Sequence, residues 1–239
     1  MARFLILRLD GPMQSWGTHT YEDYRPSNLF PTRSALVGLL AACLGIDRND
    51  REKLNALAQG LDLTVRVDQA PFRPENLEKD RHTRKTPLKM TDYHTVLEAR
   101  RANRAPKSGE TIETRREYLF DASFTVAISE KREPVYRLDA IATHLKRPVY
   151  TPFLGRRSCP IARPLFFNEW QEAANGKEAL ESTPVVGGTI YAESTELASN
   201  QRLLMRDVPQ FGPHRSFGTR TVFIHPKTKE VTESVSKPN

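Results

Sequence analysis

Residues 3–9, RFLILRL, form a short run of mostly branched or aromatic apolar residues, which is typical of a strand buried on both faces. Further along, PTRSALVGLLAACLG places its apolar residues from Ala35 to Cys43 along one helical stripe. Thr32 or Ser34 can cap the start of this helix, and Gly45 can end it. The sequence therefore predicts a first strand followed by a first helix.

The same periodicities predict four further elements. DREKLNALAQG, with Asp50 as its cap, predicts a second short helix, and LDLTVRVD (61–68) alternates as a half-buried strand does. From Tyr118 to Ile128, apolar residues recur at every second position, which predicts one continuous strand. RLDAIATHLKR (137–147) has the apolar spacing of an amphipathic helix.

This order of elements indicates the fold class. VYTPFLGRRSCPIARPLFF (149–167) can supply a final strand or strand pair, which completes the βαββαβ pattern of an α+β, ferredoxin-like (RRM-like) domain. VVGGTIYAE, RLLMRDV and RTVFIHP predict short strands that extend or cover the sheet near the C-terminus. We expect residues 1–78 and 117–230 to form one domain, 79–116 an inserted basic thumb, and 231–239 a flexible tail.

The positive charge is concentrated in that insertion. The 239 residues carry a formal charge of +7, and residues 79–116 hold eleven Lys or Arg against five Asp or Glu, a surplus of six. A solvated loop is the plain explanation for a run of charges. However, a loop of this length without a core of its own is uncommon in a compact domain and is usually functional or disordered. The segment MTDYHTVLEARRA is patterned, and we expect an ordered arm that projects between the second and third strands of the sheet.

Several classes of function have no support in the sequence. It lacks a P-loop, a metal-ligand spacing among its six histidines and two cysteines, and the G-x-S-x-G motif of serine hydrolases. We therefore expect no cofactor and no metal. The longest apolar run, SALVGLLAACLG, is too short to cross a bilayer, and MARFLILRLDG has no small-residue cleavage site. We expect a cytoplasmic protein without a membrane partner.

Three loops have the composition of RNA contacts. FLGRRSCP (153–160) combines a glycine that permits close approach with two adjacent arginines, although a tight turn with two solvated arginines would look the same. PTRS at a helix start offers free backbone N–H groups beside Arg33. Aromatic residues, among them Trp16, lie among Gln14, Arg25 and Arg33, a mixture suited to single-stranded bases, although some of them must belong to the core.

One segment leaves an enzymatic alternative open. Metal-independent RNA cleavage needs a general base, a general acid and cations around the phosphate. Tyr93, His94 and Lys89 are candidates for these groups. The simpler interpretation is that Tyr93 packs at the root of the arm while His94 stacks on a base or bonds to backbone.

Taken together, LILRLDGPMQSWG, PTRSALVGLLAACLGI, DYHTVLEAR, ETIETRREYLFDASFTVA, YTPFLGRRSCP and PVVGGTIYAE resemble the CasD subunit family of type I-E CRISPR Cascade complexes, within the RAMP superfamily. The resemblance implies an RRM-like domain with a protruding thumb. It also implies a non-catalytic role in antiviral defence, in which the subunit holds the 5′ handle of the crRNA and caps the backbone filament.

The resemblance further implies partners and RNA contacts. The implied partners are the crRNA, a CasC-type backbone subunit and a CasA-type large subunit, and we expect no functional homo-oligomer. Cleavage of the precursor is implied to belong to a separate subunit, so endoribonuclease activity stays the alternative. The residues that we expect to contact RNA are Gln14, Trp16, Arg25, Arg33, Ser34, His94, Arg100, Arg101, Arg104, Arg115, Arg116, Arg156, Arg157 and Ser158.

Overall fold

β1 (Ala2–Asp10) lies inside a seven-stranded antiparallel sheet and is covered on both faces. The computed structural model describes residues 1–18, 20, 23–68, 88–98, 105, 107–131, 133–184, 188–194, 197–212 and 215–226. Much of the predicted thumb (79–87, 99–104 and 106) and the predicted tail (231–239) lie outside these described residues.

The other elements follow in chain order: β2 (Met13–Gln14), β3 (Trp16–Gly17), β4 (Tyr24–Arg25), β5 (Ser27–Asn28), α1 (Arg33–Leu44), α2 (Arg51–Gly60), β6 (Leu61–Val67), β7 (Leu88–Leu97), β8 (Thr111–Phe120), β9 (Ser123–Glu130), α3 (Leu138–Lys146), β10 (Trp170–Ala173), α4 (Gly176–Glu181), β11 (Ile190–Ala192), β12 (Arg202–Phe211) and β13 (Arg215–His225). The large sheet has the strand order β10-β1-β9-β6-β11-β13-β12. The C-terminal strands β11, β13 and β12 therefore extend the sheet beyond β6, as the sequence predicts.

Alternation along β1 divides the core into two layers. Leu5, Leu7 and Leu9 point to the face that α1, α2 and α3 cover. Phe4 and Ile6 point to the opposite face, where they pack with buried residues of α4. The prediction of a strand buried on both faces is confirmed.

Two of the predicted helix ends are present in the structure, whereas the N-cap residue of α1, Thr32, makes no side-chain capping hydrogen bond. α1 is followed by Gly45 with φ 71°, and the Gly45 N–H bonds to the carbonyl oxygens of Ala41 and Ala42. α2 follows Asp50, whose side chain accepts a hydrogen bond from the Lys53 N–H at 3.1 Å. No helix within the described ranges is long and apolar enough to cross a lipid bilayer.

Two predictions about the positions of strands are wrong. The alternation from Tyr118 to Ile128 is not one strand, because the chain turns at Asp121 (φ 45°) between β8 and β9, which belong to different sheets. Residues 149–167 form no strand, and the strand at the edge beside β1 is β10. Prolines at 152, 160 and 164 remove backbone donors from that stretch.

β6 is buried on both faces rather than half-buried. Arg66 is 1% exposed because α4 and the segment after it cover this face. Its guanidinium donates to Asp68 Oδ1 at 2.6 Å, to Thr183 Oγ1 at 2.9 Å and to the Leu180 carbonyl oxygen. These bonds satisfy the guanidinium of Arg66, which the alternation in the sequence predicts to lie in solvent.

A second sheet carries the described part of the predicted thumb. β7 and β8 pair along their whole length as an antiparallel ribbon, and β8 also pairs with β2 and β4. At the root of the ribbon Tyr118 and Leu119 are buried, whereas Leu97 at its far end is 65% exposed. The molecule is therefore a mixed α/β structure in which a β-ribbon extends from the main core.

Candidate nucleic-acid interface

An open groove of about 690 Å³ separates the β7–β8 ribbon from the loop of residues 153–158. One face of the ribbon supplies Met90, Asp92 and His94 from β7, with Arg116 and Tyr118 from β8. These residues share a face because Met90 is paired with Tyr118 and Asp92 with Arg116. The other lining residues are Met13, Arg25, Phe153, Gly155, Arg156, Arg157 and Ser158.

The loop 153–158 is fixed by backbone contacts. Gly155 has φ 91°, and a Cβ there would lie 1.7 Å from the carbonyl oxygen of Ser15. The Ser15 N–H donates to the Leu154 carbonyl at 3.1 Å, and the Cys159 N–H donates to the Arg156 carbonyl at 2.8 Å. Only glycine allows this close approach, and the result is a rigid turn that directs two consecutive arginines to the groove.

Arg156 is held in place by its contacts, but not all of its hydrogen-bond donors are used. Its guanidinium stacks over the Tyr118 ring, 4.8 Å from the centroid, and its Nη2 donates to the carbonyl oxygen of Arg25 at 3.1 Å. Nη1 is buried and has no hydrogen-bond partner within the described residues. An unsatisfied guanidinium nitrogen at a groove is suited to binding an anionic ligand.

The arginines of the groove raise its positive potential. Arg25 and Arg116 are paired neighbours on β4 and β8. Burial lowers the pKa of Arg25, and repulsion from Arg116 and Arg156 lowers it further. The groove lining holds four arginines against one aspartate, Asp92. Such a cluster favours a phosphate, which relieves the repulsion between the cations.

Tyr118 forms part of the groove wall. Burial alone would raise the pKa of its hydroxyl, but hydrogen bonding to Ser158 and Arg156, together with the charge of Arg156, lowers it overall. The hydroxyl lies 3.4 Å from Ser158 Oγ. Tyr118 thus links the ribbon to the opposite loop and gives Arg156 an aromatic surface.

Glu117 lies on the back of the same ribbon. Its carboxylate accepts hydrogen bonds from the Tyr24 hydroxyl, from the Ser27 N–H at 2.9 Å and from Lys89 Nζ at 2.8 Å. Burial by itself would raise the pKa of Glu117, but the hydrogen bonds from Lys89, Tyr24 and Ser27 lower it overall. The carboxylate is therefore kept ionised while it joins three segments of the chain.

Gln14 and Trp16 are core residues, contrary to the prediction that they contact RNA. Both are fully buried. Gln14 Nε2 donates to the carbonyl oxygens of Leu9 and Ala122, and Gln14 Oε1 accepts from Trp16 Nε1 at 3.2 Å. Trp16 also packs edge-to-face with Phe124. These internal partners use the hydrogen-bonding groups that an RNA base would need.

The start of α1 is also occupied from within, so the anion site predicted at Arg33 and Ser34 is wrong. The Arg33 N–H donates to Asp207 Oδ2 at 2.7 Å. The Arg33 guanidinium is buried against Glu193 and the Ala58 and Leu61 carbonyl oxygens. Ser34 Oγ lies 3.4 Å from Thr32 Oγ1. Asp207 on β12 takes the place of an external anion.

Arg33 belongs to a buried network of four charged residues, with Glu193, Asp207 and Arg220. Arg220 bonds to both carboxylate oxygens of Asp207, at 2.7 and 2.8 Å, and to Glu193 Oε2 at 3.1 Å. Asp62 lies beside this network, and its Oδ1 is buried without a hydrogen-bond partner in the described part of the chain. Burial, followed by the charge and hydrogen bonding of Glu193, raises the pKa of Asp62 to about 6.

The three candidate nuclease residues do not converge. Neighbouring residues of a strand face opposite sides, so Tyr93 and His94 point away from each other. His94 lines the groove, with Nδ1 3.7 Å from Asp92 Oδ2. Lys89 lies on the back of the ribbon in its ion pair with Glu117. Among the described residues, no three or more His, Cys, Asp or Glu side chains are grouped to hold a metal ion.

The groove therefore brings together some of the residues that the sequence predicts to contact RNA. Arg25, His94, Arg116, Arg156, Arg157 and Ser158 all line it. Arg115 is exposed on the opposite face of β8, and Arg100, Arg101 and Arg104 lie outside the described residues. Sequence reasoning missed Met13, Met90, Asp92, Phe153 and Tyr118 as lining residues. Alternation in LKMTDYHTVL was the available signal for Met90 and Asp92, because it places them on one face with His94.

Comparisons with known proteins cover almost the whole chain. A family model described as CRISPR-associated protein (Cas_Cas5) matches residues 4–223. CRISPR system Cascade subunit CasD of Escherichia coli (strain K12) is 44% identical over 224 residues, which are 94% of this chain and 96% of that protein. A chain of a solved CRISPR RNA-guided surveillance complex is 29% identical with a TM-score of 0.70, covering 93% of this chain and 89% of that one. A crystal structure of a Cas protein is 28% identical with a TM-score of 0.58, covering 94% and 93%.

Proposed function

Because the chain belongs to the Cas5 family of CRISPR-associated proteins, we propose that it is a crRNA-binding subunit of a type I-E Cascade surveillance complex. In this role it holds the repeat-derived 5′ handle of the crRNA and caps one end of the backbone filament. The observation that carries the proposal is the groove, where four arginines meet and one of them has a buried nitrogen with no partner among the described residues.

The lining of the groove supports a single RNA strand as the ligand. Arg25, Arg116, Arg156 and Arg157 supply donors for phosphate oxygens. Met13, Met90 and Phe153 supply apolar surface against which bases pack. Single-stranded RNA presents both groups at once, whereas a duplex hides the faces of its bases.

We interpret β1, β6, β9 and β10 as the four strands of a ferredoxin-like unit, because their spatial order β10-β1-β9-β6 and their connections through α1 and α3 match that topology. The β7–β8 ribbon then corresponds to the inserted thumb. In the assembled complex, we expect a CasC-type subunit and a CasA-type subunit to contact this molecule near the thumb.

The separation of Tyr93, Lys89 and His94 supports a non-catalytic role. We expect the purified chain to leave its cognate repeat RNA uncleaved in EDTA, and we expect His94→Ala to leave crRNA maturation intact. Substituting a true general base lowers a rate by roughly 10²- to 10⁴-fold. A loss of that size in a stable His94→Ala protein, or discrete handle-bearing products in EDTA, would favour the endoribonuclease instead.

The test of RNA binding uses the complex assembled by co-expression with the neighbouring Cascade subunits. Replacing Arg116 and Arg156 by Ala removes charge-assisted bonds worth about 1.5–3 kcal/mol each before solvent screening. We expect the variant to retain much less crRNA after size exclusion and RNA extraction. Arg147→Ala, an exposed arginine after α3, is the matched control. Retention equal to wild type in the double variant would refute the groove as the handle site.

A further inference from the structure

The carboxylate of Glu117, on β8, joins this strand to three others, and two of these, β4 and β7, also supply residues of the groove. Its donors are Tyr24, Ser27 and Lys89, which lie on β4, β5 and β7. The side chain of Glu117 is 11% exposed, so its carboxylate is largely shielded from solvent. One buried group therefore fixes the relative positions of several strands at the root of the ribbon.

Three of the four strands at this junction, β4, β7 and β8, carry a groove residue next to the junction residue. Tyr24 precedes Arg25, Lys89 precedes Met90, and Glu117 itself lies between Arg116 and Tyr118. Adjacent residues of a strand point to opposite faces. The junction on the back of the ribbon thus sets the positions of side chains on its front.

The loop that carries Arg156 is attached to the same point. The carbonyl oxygen of Glu117 accepts a hydrogen bond from Ser15 Oγ at 2.9 Å. Ser15 in turn bonds through its N–H to Leu154, and its carbonyl oxygen lies against Gly155. The ribbon side of the groove therefore contains Glu117 itself, and the loop side is connected to its backbone through Ser15.

We propose that Glu117 is a positioning residue for RNA binding, which holds Arg25, Arg116 and Arg156 at the spacing that the phosphate backbone requires. The inference rests on the proposed function of the groove. Glu117 does not touch RNA in this role, since its carboxylate faces away from the ligand and carries the same sign of charge as a phosphate.

This role and simple electrostatics predict opposite results for Glu117→Gln. The substitution removes a negative charge behind a phosphate-binding groove, so charge alone predicts tighter RNA binding and a steeper dependence on salt. If Glu117 positions the arginines, the substitution weakens binding despite the gain in net positive charge. An amide cannot accept from all three donors with the same strength.

The experiment measures binding of the purified full-length chain to a fluorescently labelled, mixed-sequence single-stranded RNA of roughly 12 nucleotides. We expect Glu117→Gln to raise Kd about tenfold and to reduce the salt slope by about 0.7 for each phosphate that an arginine no longer neutralises. Glu113→Gln, on the same face of β8, makes the same change of charge away from the junction. We expect that control to bind as tightly as wild type or slightly tighter.

Tyr24→Phe tests the junction without any change of charge. It remains a test of the positioning role if Glu117→Gln does not fold. It removes one donor to the carboxylate, and we expect a smaller rise in Kd in the same direction. Thermal melts confirm that each variant is folded at the binding temperature. Unchanged or tighter binding by Tyr24→Phe, or by a folded Glu117→Gln, would overturn the positioning role.

Arg156→Ala separates this inference from the proposed function. If wild type and Arg156→Ala bind RNA equally, the groove is not the binding site and the proposed function fails. If Arg156→Ala binds weakly while Glu117→Gln and Tyr24→Phe bind as well as wild type, the groove stands and only the positioning role is wrong.

Discussion

At Gly155 the backbone leaves no room for a side chain, because a Cβ there would overlap the Ser15 carbonyl oxygen. We expect Gly155→Ala to lower the free energy of unfolding by at least about 2 kcal/mol, since the positive φ and the overlap act together. Gly38→Ala is the matched control, because Gly38 is a helical glycine with no atom within 4 Å of an added Cβ. That change should stabilise α1 by about 0.5–1 kcal/mol. Urea unfolding measures the change in the free energy of unfolding for both variants. Equal changes would contradict the conclusion that Gly155 has no room for a side chain.

Asp62 gives the stability a defined pH dependence. Its pKa is about 6 in the folded state and near 3.8 in the unfolded state, so the folded state binds the proton more tightly between these values. The stability that this proton provides is complete below pH 4 and is lost as the pH rises through 6. Asp62→Asn should therefore stabilise the protein at pH 7.5 by about 1 kcal/mol, and by less at pH 4.5.

Urea unfolding at both pH values tests whether Asp62→Asn stabilises the protein more at the higher pH. Asp121→Asn, on an exposed turn, controls for the loss of a carboxylate. The expectation is contradicted if the gain from Asp62→Asn is larger at pH 4.5 than at pH 7.5.

At the scale of the elements, periodicity located β1, α1, α2, β6 and α3 because each keeps one period, and several end at a recognisable residue, such as Gly45 or Asp50. The same rule predicted one continuous strand where the structure has β8 and β9. Tyr118 and Phe124 are both buried, but in separate sheets, and period two alone does not record the turn at Asp121 between them. The edge strand β10 was missed because its four residues, WQEA, show little apolar alternation.

Asp207 joins α1 to the C-terminal strands, so its loss should affect two elements. Asp207→Ala removes the acceptor for the Arg33 N–H and leaves Arg220, which is largely buried, without two of its bonds. We expect a loss of about 3–5 kcal/mol in the free energy of unfolding. Asp139→Ala, which breaks the exposed pair with Arg3, should cost at most about 1 kcal/mol. Similar costs in urea unfolding would mean that the buried network contributes little.

The predicted thumb is a second segment whose role can be tested, although Arg100, Arg101 and Arg104 lie outside the described residues. Reversing all three to Glu should weaken assembly with RNA and with the proposed CasC-type subunit, because residues 79–116 contribute most of the surplus positive charge. The thermal melt should stay as in wild type, since the sheet is formed by other residues. Pull-downs at several salt concentrations test this. Normal assembly with an unchanged salt dependence would show that these arginines bind neither partner.

For the molecule as a whole, the sequence could predict that arginines at 25, 116, 156 and 157 serve an anionic ligand, but not that they meet. Their convergence depends on tertiary contacts, such as the close approach of Gly155 to Ser15, that no local pattern contains. The composition of the sequence also could not predict that Arg33 and Arg156 have different roles. Both are arginines beside a turn, yet the guanidinium of Arg33 is paired with Glu193, whereas that of Arg156 keeps a nitrogen with no partner in the described ranges.

The central place of β1 in the sheet has a consequence during synthesis on the ribosome. β1 leaves the exit tunnel well before its partners β9 and β10, which begin at Ser123 and Trp170. At roughly 5–20 residues per second, the apolar strand RFLILRL waits about 6–25 seconds for β9 to be translated. During that time both of its edges are available to other nascent chains. The two edges of β1 are therefore exposed to non-native pairing until β9 and then β10 have been made.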